Sequence, residues 1–331
     1  MDVHDAFSIN TDDKKTLWIA KKSAGDTKVQ LLLPPHTTKL DVTVANGSVR
    51  MHEKIEGHAK VVVGSGDIQV HKVRGQMVKL KTNGGSIHIS TLVEGETVQL
   101  EASESIQCKK LMADKALVKL GKGSRDSEFG AIYTSTCSIT SMDSSGETQL
   151  SVGNVHGYLR VASEGLNRVQ LDSVTGALDV QDNGDKCQVV AHFDSWTNDS
   201  SSSILVGGDV QVSLQPAAPI DVELHGTKIT VGSECKFLCS EMDPLDDDYV
   251  VFTGKLQAQE GAETMASTGK INIESAKNDA MRTSFFMKQS SSDEEDGELN
   301  PSRLLVHTLS GEITLDQLNW MENMKRKYLK Q

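Results

Sequence analysis

The sequence predicts an all-β chain built as a single-domain parallel β-solenoid, a β-helix-like stack of coils of roughly twenty residues with a short C-terminal helix. Three observations carry this. A Gly-x-apolar-polar-apolar unit recurs along the chain. A second apolar-polar-apolar strand lies between successive units, beginning at Val78, Val98 and Val118. Aromatic residues make up only 4% of the chain, and 27 glycines stand against 6 prolines. That composition suits a narrow interior of Val, Ile and Leu bounded by many turns.

The Gly-led unit is read in Gly66-Asp67-Ile68-Gln69-Val70 and Gly85-Ser86-Ile87-His88-Ile89, and in weakened form in Glu104-Ser105-Ile106-Gln107-Cys108. It returns at Gly157, Gly176, Gly208, Gly269 and Gly311, each followed by the same alternation. The intervening strand recurs in Val78-Lys79-Leu80, Val98-Gln99-Leu100, Val118-Lys119-Leu120, Thr148-Gln149-Leu150 and Val169-Gln170-Leu171. Apolar residues at i and i+2 share one face of a strand, so each strand buries one side and wets the other. Two strands and two turns in about twenty residues leave no room for the crossover helix of a β-α-β unit. A coil this small cannot bury its apolar face alone, and stacked neighbours about 4.8 Å apart share one core. An antiparallel sandwich also turns at short intervals. The recurrence of the whole two-strand unit, with like residues in like places, favours the solenoid.

Taken in order, residues 1–30 have weak periodicity, with Thr16-Leu17-Trp18-Ile19 as a first strand, and read as a leader and N-terminal cap. Residues 31–275 form the solenoid, its pattern loosening after Pro216 and Pro219 but keeping strands at 220–224 and 228–231. Residues 276–302 contain Ser290-Ser291-Ser292-Asp293-Glu294-Glu295-Asp296, too charged and polar to bury itself, and read as a disordered acidic insertion. Ser290, Ser291 and Ser292 each have a carboxylate three residues on, the setting of an acidophilic phosphorylation site. Residues 303–331 return to a last coil. They close with a capping helix, on which Leu318, Met321 and Met324 fall near helical spacing.

The formal charge of −12 opposes a sequence-independent grip on nucleic acid, which depends on Lys and Arg at phosphates. No apolar run is long enough to span a bilayer. Five cysteines without a CxxC pair argue against a disulfide framework or a zinc knuckle and point to a reducing compartment. Asp2, Asp5, Asp12 and Asp13 make the start unlike a secretory signal or an Arg-rich presequence. The expectation is an intracellular protein, cytoplasmic rather than mitochondrial.

Some solenoids are polysaccharide lyases and hydrolases whose outward carboxylates converge on a sugar. Stacking here predicts one outward column of Gln69, His88, Gln107, Arg160, Asp179, Gln211, Asn272 and Thr314. It predicts a second of Lys79, Gln99, Lys119, Gln149 and Gln170. Neither offers paired acids. The histidines have no Cys or carboxylate at metal-ligand spacing, and Asp243 with Asp246-Asp247-Asp248 lacks the glycine that bends calcium loops. Catalytic residues, metal ligands and a cofactor are therefore not expected.

The Gly-x-Ile-x-Val units resemble the adhesin-like β-solenoid domains of unknown function, and in particular their eukaryotic branch. The likeness runs from about Leu31 to Trp320. It is carried by Leu33-Pro34-Pro35-His36 leading into Leu40-Asp41-Val42, by Gly153-Asn154-Val155-His156-Gly157, and by Gly311-Glu312-Ile313-Thr314-Leu315 followed by Trp320. The resemblance implies the fold and assigns no catalytic residue. The expected function is a non-enzymatic scaffold that engages a protein partner along its flat sides. The alternative is a carbohydrate-active enzyme with its site in insertion loops, where Glu128, Asp194, Asp246 and Asp248 are available.

Overall fold

A computed structural model describes residues 7–11, 17–21, 28–34, 37–122, 125–196, 200–216, 219–246, 248–257, 302–319, 321–323 and 325. The chain divides into two units, 1–35 and 36–331. In the first, Phe7–Thr11 and Leu17–Lys21 form an antiparallel hairpin with Ile9 opposite Ile19 and Asn10 opposite Trp18. Leu17 and Trp18 are exposed.

The second unit is the expected parallel β-solenoid. Its coils have three sides rather than two. The strand Ile106–Leu120 runs unbroken for 15 residues, and its burial alternation slips twice. Ile106 and Cys108 point inward, then Leu111 and Ala113, then Ala116, Val118 and Leu120. Because side chains alternate with period two, each slip marks a corner where the backbone turns while the core stays on the same hand. The strand Ser127–Ser141 repeats the pattern with Phe129, Ile132, Cys137 and Ile139 inward. We call the side containing Val78-Lys79-Leu80 the first, that containing Gly66-Asp67-Ile68 and its successors the second, and the short stretch after each second side the third.

Register shows why the sequence hid one side. On the second side Ile68, Ile87 and Ile106 stack in line, continued by Ser127, Leu150 and Val169. On the first side Val78, Val98, Ala116, Cys137, Leu159 and Leu178 stack. Leu159 and Leu178, which follow the glycines of two Gly-led units, therefore belong with the strand expected to lie between those units. The two predicted outward columns mix sides accordingly. Gln69, His88 and Gln107 continue into Glu128, Ser151 and Gln170, whereas Arg160 and Asp179 continue Lys79, Gln99, Leu117 and Ser138. All three sides carry the same apolar-polar-apolar signature, so periodicity alone cannot tell them apart.

Glycine marks the corners for a physical reason. Gly157 has φ +106, and a Cβ there would lie 1.7 Å from the Thr134 carbonyl oxygen of the coil below. Gly176, one coil on, meets the Gly157 carbonyl in the same way at 2.2 Å. Coil spacing at this corner is thus set by backbone against backbone. The interior is filled by Val, Ile and Leu, with Phe129 and Phe193 as the largest wholly buried side chains. Each is worth roughly 1.5–3 kcal/mol of apolar transfer.

Among the described residues, coil order departs from sequence order at the coil of residues 302–319. Residues 201–214 stack on the preceding coil and residues 220–231 form a further coil, but the two do not touch as ladder neighbours. Between them lie Arg303–Thr308 and Glu312–Gln317. Ser203 pairs with Leu305 and Leu305 with Glu223; Gln211 pairs with Thr314 and Thr314 with Thr230. The coil last in sequence is therefore inside the stack. Pro216 and Pro219, which lack ladder donors, stand where the chain skips one coil height. Beyond residues 220–226 the sheet turns antiparallel, with Tyr249–Leu256 and then Phe237–Asp246 added on the first side. Residues 321–323 and 325 are helical, supplying the expected short C-terminal helix.

Candidate functional site

Titratable side chains concentrate at the corner between the second and third sides, around residues 110–213. Partners there lie one coil apart in sequence: Ser173 and Asp194, His192 and Ser213, Lys110 and Tyr133, Tyr133 and His156. His192 is 1% exposed and Ser213 wholly buried. The His192 Nε2 donates to Asp194 Oδ1 at 3.1 Å, and its Nδ1 shares a hydrogen bond of 2.8 Å with the Ser213 hydroxyl. The Ser173 hydroxyl donates to the other Asp194 oxygen. Beside this network the helical Asn323 donates from Nδ2 to the Asp172 carbonyl at 3.0 Å.

A serine, a histidine and an aspartate in one hydrogen-bonded chain invite comparison with a hydrolase triad. The comparison fails on access, because a nucleophile must reach a substrate carbonyl and Ser213 has no exposed surface. What the chain does is satisfy a buried imidazole and fix the Asp194 carboxylate at the surface.

Below that carboxylate, on earlier coils, runs a half-buried row on the third side. Lys110 Nζ lies 4.7 Å from the centre of the Tyr133 ring. Tyr133 stacks on His156 with centroids 4.5 Å apart and planes 5° from parallel. Desolvation pushes the His156 pKa below its usual value; Asp194 opposes this and Lys110 adds to it. The imidazole is accordingly neutral at pH 7, with one ring nitrogen to donate and one to accept. Neither the Tyr133 hydroxyl nor the His156 ring makes a hydrogen bond to a described residue. Register places Met112, Tyr133, His156 and Thr175 in one outward column, so the row is as straight and rigid as the ladder beneath it.

Of the four candidate acids, only Asp194 joins this cluster. Glu128 lies on the second side, in register with Gln107 and Ser151. Three coil steps of about 4.8 Å, some 14 Å along the axis, separate its coil from that of Asp194. That exceeds the separation of about 5–10 Å that glycoside chemistry uses. Asp246 pairs with Tyr249 at the antiparallel hairpin, with Asp248 in its turn, on a different element from either Glu128 or Asp194. Elsewhere, charges pair along the stack: Lys60 with Asp41 at 3.3 Å, Arg74 with Glu94 at 2.6 Å, Lys81 with Glu101 at 2.7 Å, Arg160 with Asp179 at 3.5 Å. Among the described residues no group of three His, Cys, Asp or Glu side chains could hold a metal ion, and no helix is long and apolar enough to cross a membrane. Ser290, Ser291, Ser292 and Asn272 lie outside the described residues.

Sequence reasoning missed His192, Ser173 and Ser213, and passed over His156 and Tyr133. The usable signal was spacing by one coil length, which becomes visible only once the register is known. No protein-family model matches the chain, and neither a curated protein nor a solved structure matches it.

Proposed function

We propose that the chain is a non-enzymatic scaffold that binds a protein partner across its third side, centred on Lys110, Tyr133 and His156. The observation that carries this reading is the row itself: across three adjacent coils an ammonium lies over a phenol ring that stacks on a neutral imidazole, and the phenol and imidazole have no hydrogen-bond partner among the described residues. Tyrosine is enriched at interface centres because it offers large area at low entropy cost. The ladder beneath holds the row rigid, so little ordering is lost on binding. Free thiols at all five cysteines are consistent with work inside a reducing compartment. The interleaved charge pairs favour binding over catalysis, since they neutralise acids one by one rather than pairing them.

The test is affinity capture with the full chain from its native source, beside the double variant Tyr133→Ala with His156→Ala. A partner held by the parent and lost from a variant that melts at nearly the same temperature is the expected result. Identical captures from both, or no reproducible partner from the parent, would overturn the assignment.

A further inference from the structure

The coil formed by residues 302–319 fills a slot. Below it stands the coil of residues 201–214, above it that of residues 220–231, and it is hydrogen-bonded in parallel register to both. Those two coils are joined directly by residues 215–219, whereas the filling segment arrives after the 44 residues 258–301. Sequential stacking would have closed the gap. Here the chain steps over it, and the slot keeps two open strand edges until a matching segment enters.

The slot is specific for its occupant on every side. The Arg303 guanidinium bonds the Glu223 carboxylate, and Lys228 Nζ lies 2.9 Å from Glu312. The Thr308 hydroxyl donates to the Gly208 carbonyl at 2.6 Å, and the Ser310 hydroxyl to that of Gly207 at 2.9 Å. From above, the Tyr249 hydroxyl donates to the Thr308 carbonyl at 3.0 Å and the Thr227 hydroxyl to the Gly311 carbonyl at 2.9 Å. A Cβ at Gly311 would meet the Gly208 carbonyl oxygen at 2.2 Å, so that corner admits only glycine. Leu304, Val306, Ile313 and Leu315 complete the core and are wholly buried.

We propose that this slot is a binding site for the segment 302–319 of a second copy of the chain, which two copies exchange reciprocally. Every contact named above joins the segment to the slot, and none depends on which chain supplies the segment. Exchange therefore leaves the contacts unchanged and alters only connectivity. The connection of 44 residues can reach about 150 Å at full extension, ample to pass between neighbouring molecules. Its own segment fills the slot by default, because a tethered group competes at an effective concentration on the order of millimolar. Exchange then rises with chain concentration and requires the segment to be released first. This inference stands apart from the binding row on the third side and does not depend on it.

Disulfide trapping tests it, because Ser203 and Leu305 are outward-facing register partners on adjacent strands. The exposed Cys239 is first replaced by Ser in every chain. With Ser203→Cys and Leu305→Cys in one chain, mild oxidation should give an intrachain bridge at any dilution; its absence would overturn the insertion and the proposal with it. With the two substitutions on separate chains, unfolded and refolded together before oxidation, a covalent pair of the two forms only by exchange. Its yield should climb with total concentration and exceed by about tenfold that of a control mixing Leu305→Cys with Ser138→Cys, which lies three coils below Ser203. A yield no higher than the control at every concentration would show that the segment stays in its own chain.

Discussion

Glu223 accepts from His225 Nε2 on one oxygen, at 2.8 Å, and from Arg303 on the other. The His225 bond first, and the Arg303 bond after it, hold the carboxyl below its ordinary 4.5. A depressed carboxylate pKa stabilises the fold above the unfolded value, and that stabilisation is lost as the pH falls through the folded one. The difference in melting temperature between the parent and Glu223→Gln is therefore expected at pH 7 and should vanish once the pH is well below 4.5. An unchanged difference under acid would remove the carboxylate from the account. Thiols give a second residue-scale prediction. Burial pushes Cys108, Cys137 and Cys187 up to about 12 and Cys235 to about 11, while Cys239 is exposed. Since the thiolate is the nucleophile, iodoacetamide at pH 8 should add one label quickly to the native chain, at Cys239, and five after unfolding. Mass spectrometry reads this directly. Gly157→Ala should cost at least about 2 kcal/mol in a urea melt, combining a positive φ with a backbone clash.

At the scale of a single coil, position in the stack decides what a side chain is worth. Val152 is wholly buried between neighbours, whereas Val42, in the first coil of the solenoid, is half-buried because Lys39–Asn46 pairs with His58–Ser65 and with no other described strand. Val152→Ala should lower stability by about 2 kcal/mol, from lost transfer energy and an unfilled cavity; Val42→Ala should cost less than about 1. Equal costs in chemical denaturation would mean that the first coil is as well covered as the middle. The same geometry explains what could be read beforehand. Alternation at i and i+2 exposed the strands, and the near-constant interval exposed the stacking. The third side escaped because residues such as Leu111 and Ala113 repeat the signature of their neighbours without a turn residue to announce the corner. The corner network escaped for a related reason. Ser173, His192, Asp194 and Ser213 carry no local motif, and their meeting depends on a register that shifts as coil lengths vary.

Across the whole solenoid, stability is a sum over interfaces between neighbouring coils, so the ends should open before the middle. Sequence order would make residues 303–317 an end and predict fast fraying there. Stack order makes them interior, bonded on both edges to coils 201–214 and 220–231. Hydrogen exchange separates the two arrangements. Amides of Arg303–Thr308 and Glu312–Gln317 should exchange more slowly than those of Lys39–Asn46, although both lie near a chain terminus. Their protection should also fall together with that of Ile220–Gly226 and Lys228–Val231, because the upper coil has no other parallel neighbour among the described residues. Charge reversal at Arg303→Glu, which sets two carboxylates against each other at Glu223, should speed exchange in both segments at once while leaving residues 87–182 unchanged. Exchange confined to residues 303–317 in that variant would mean that the coil above is held by something other than the inserted segment.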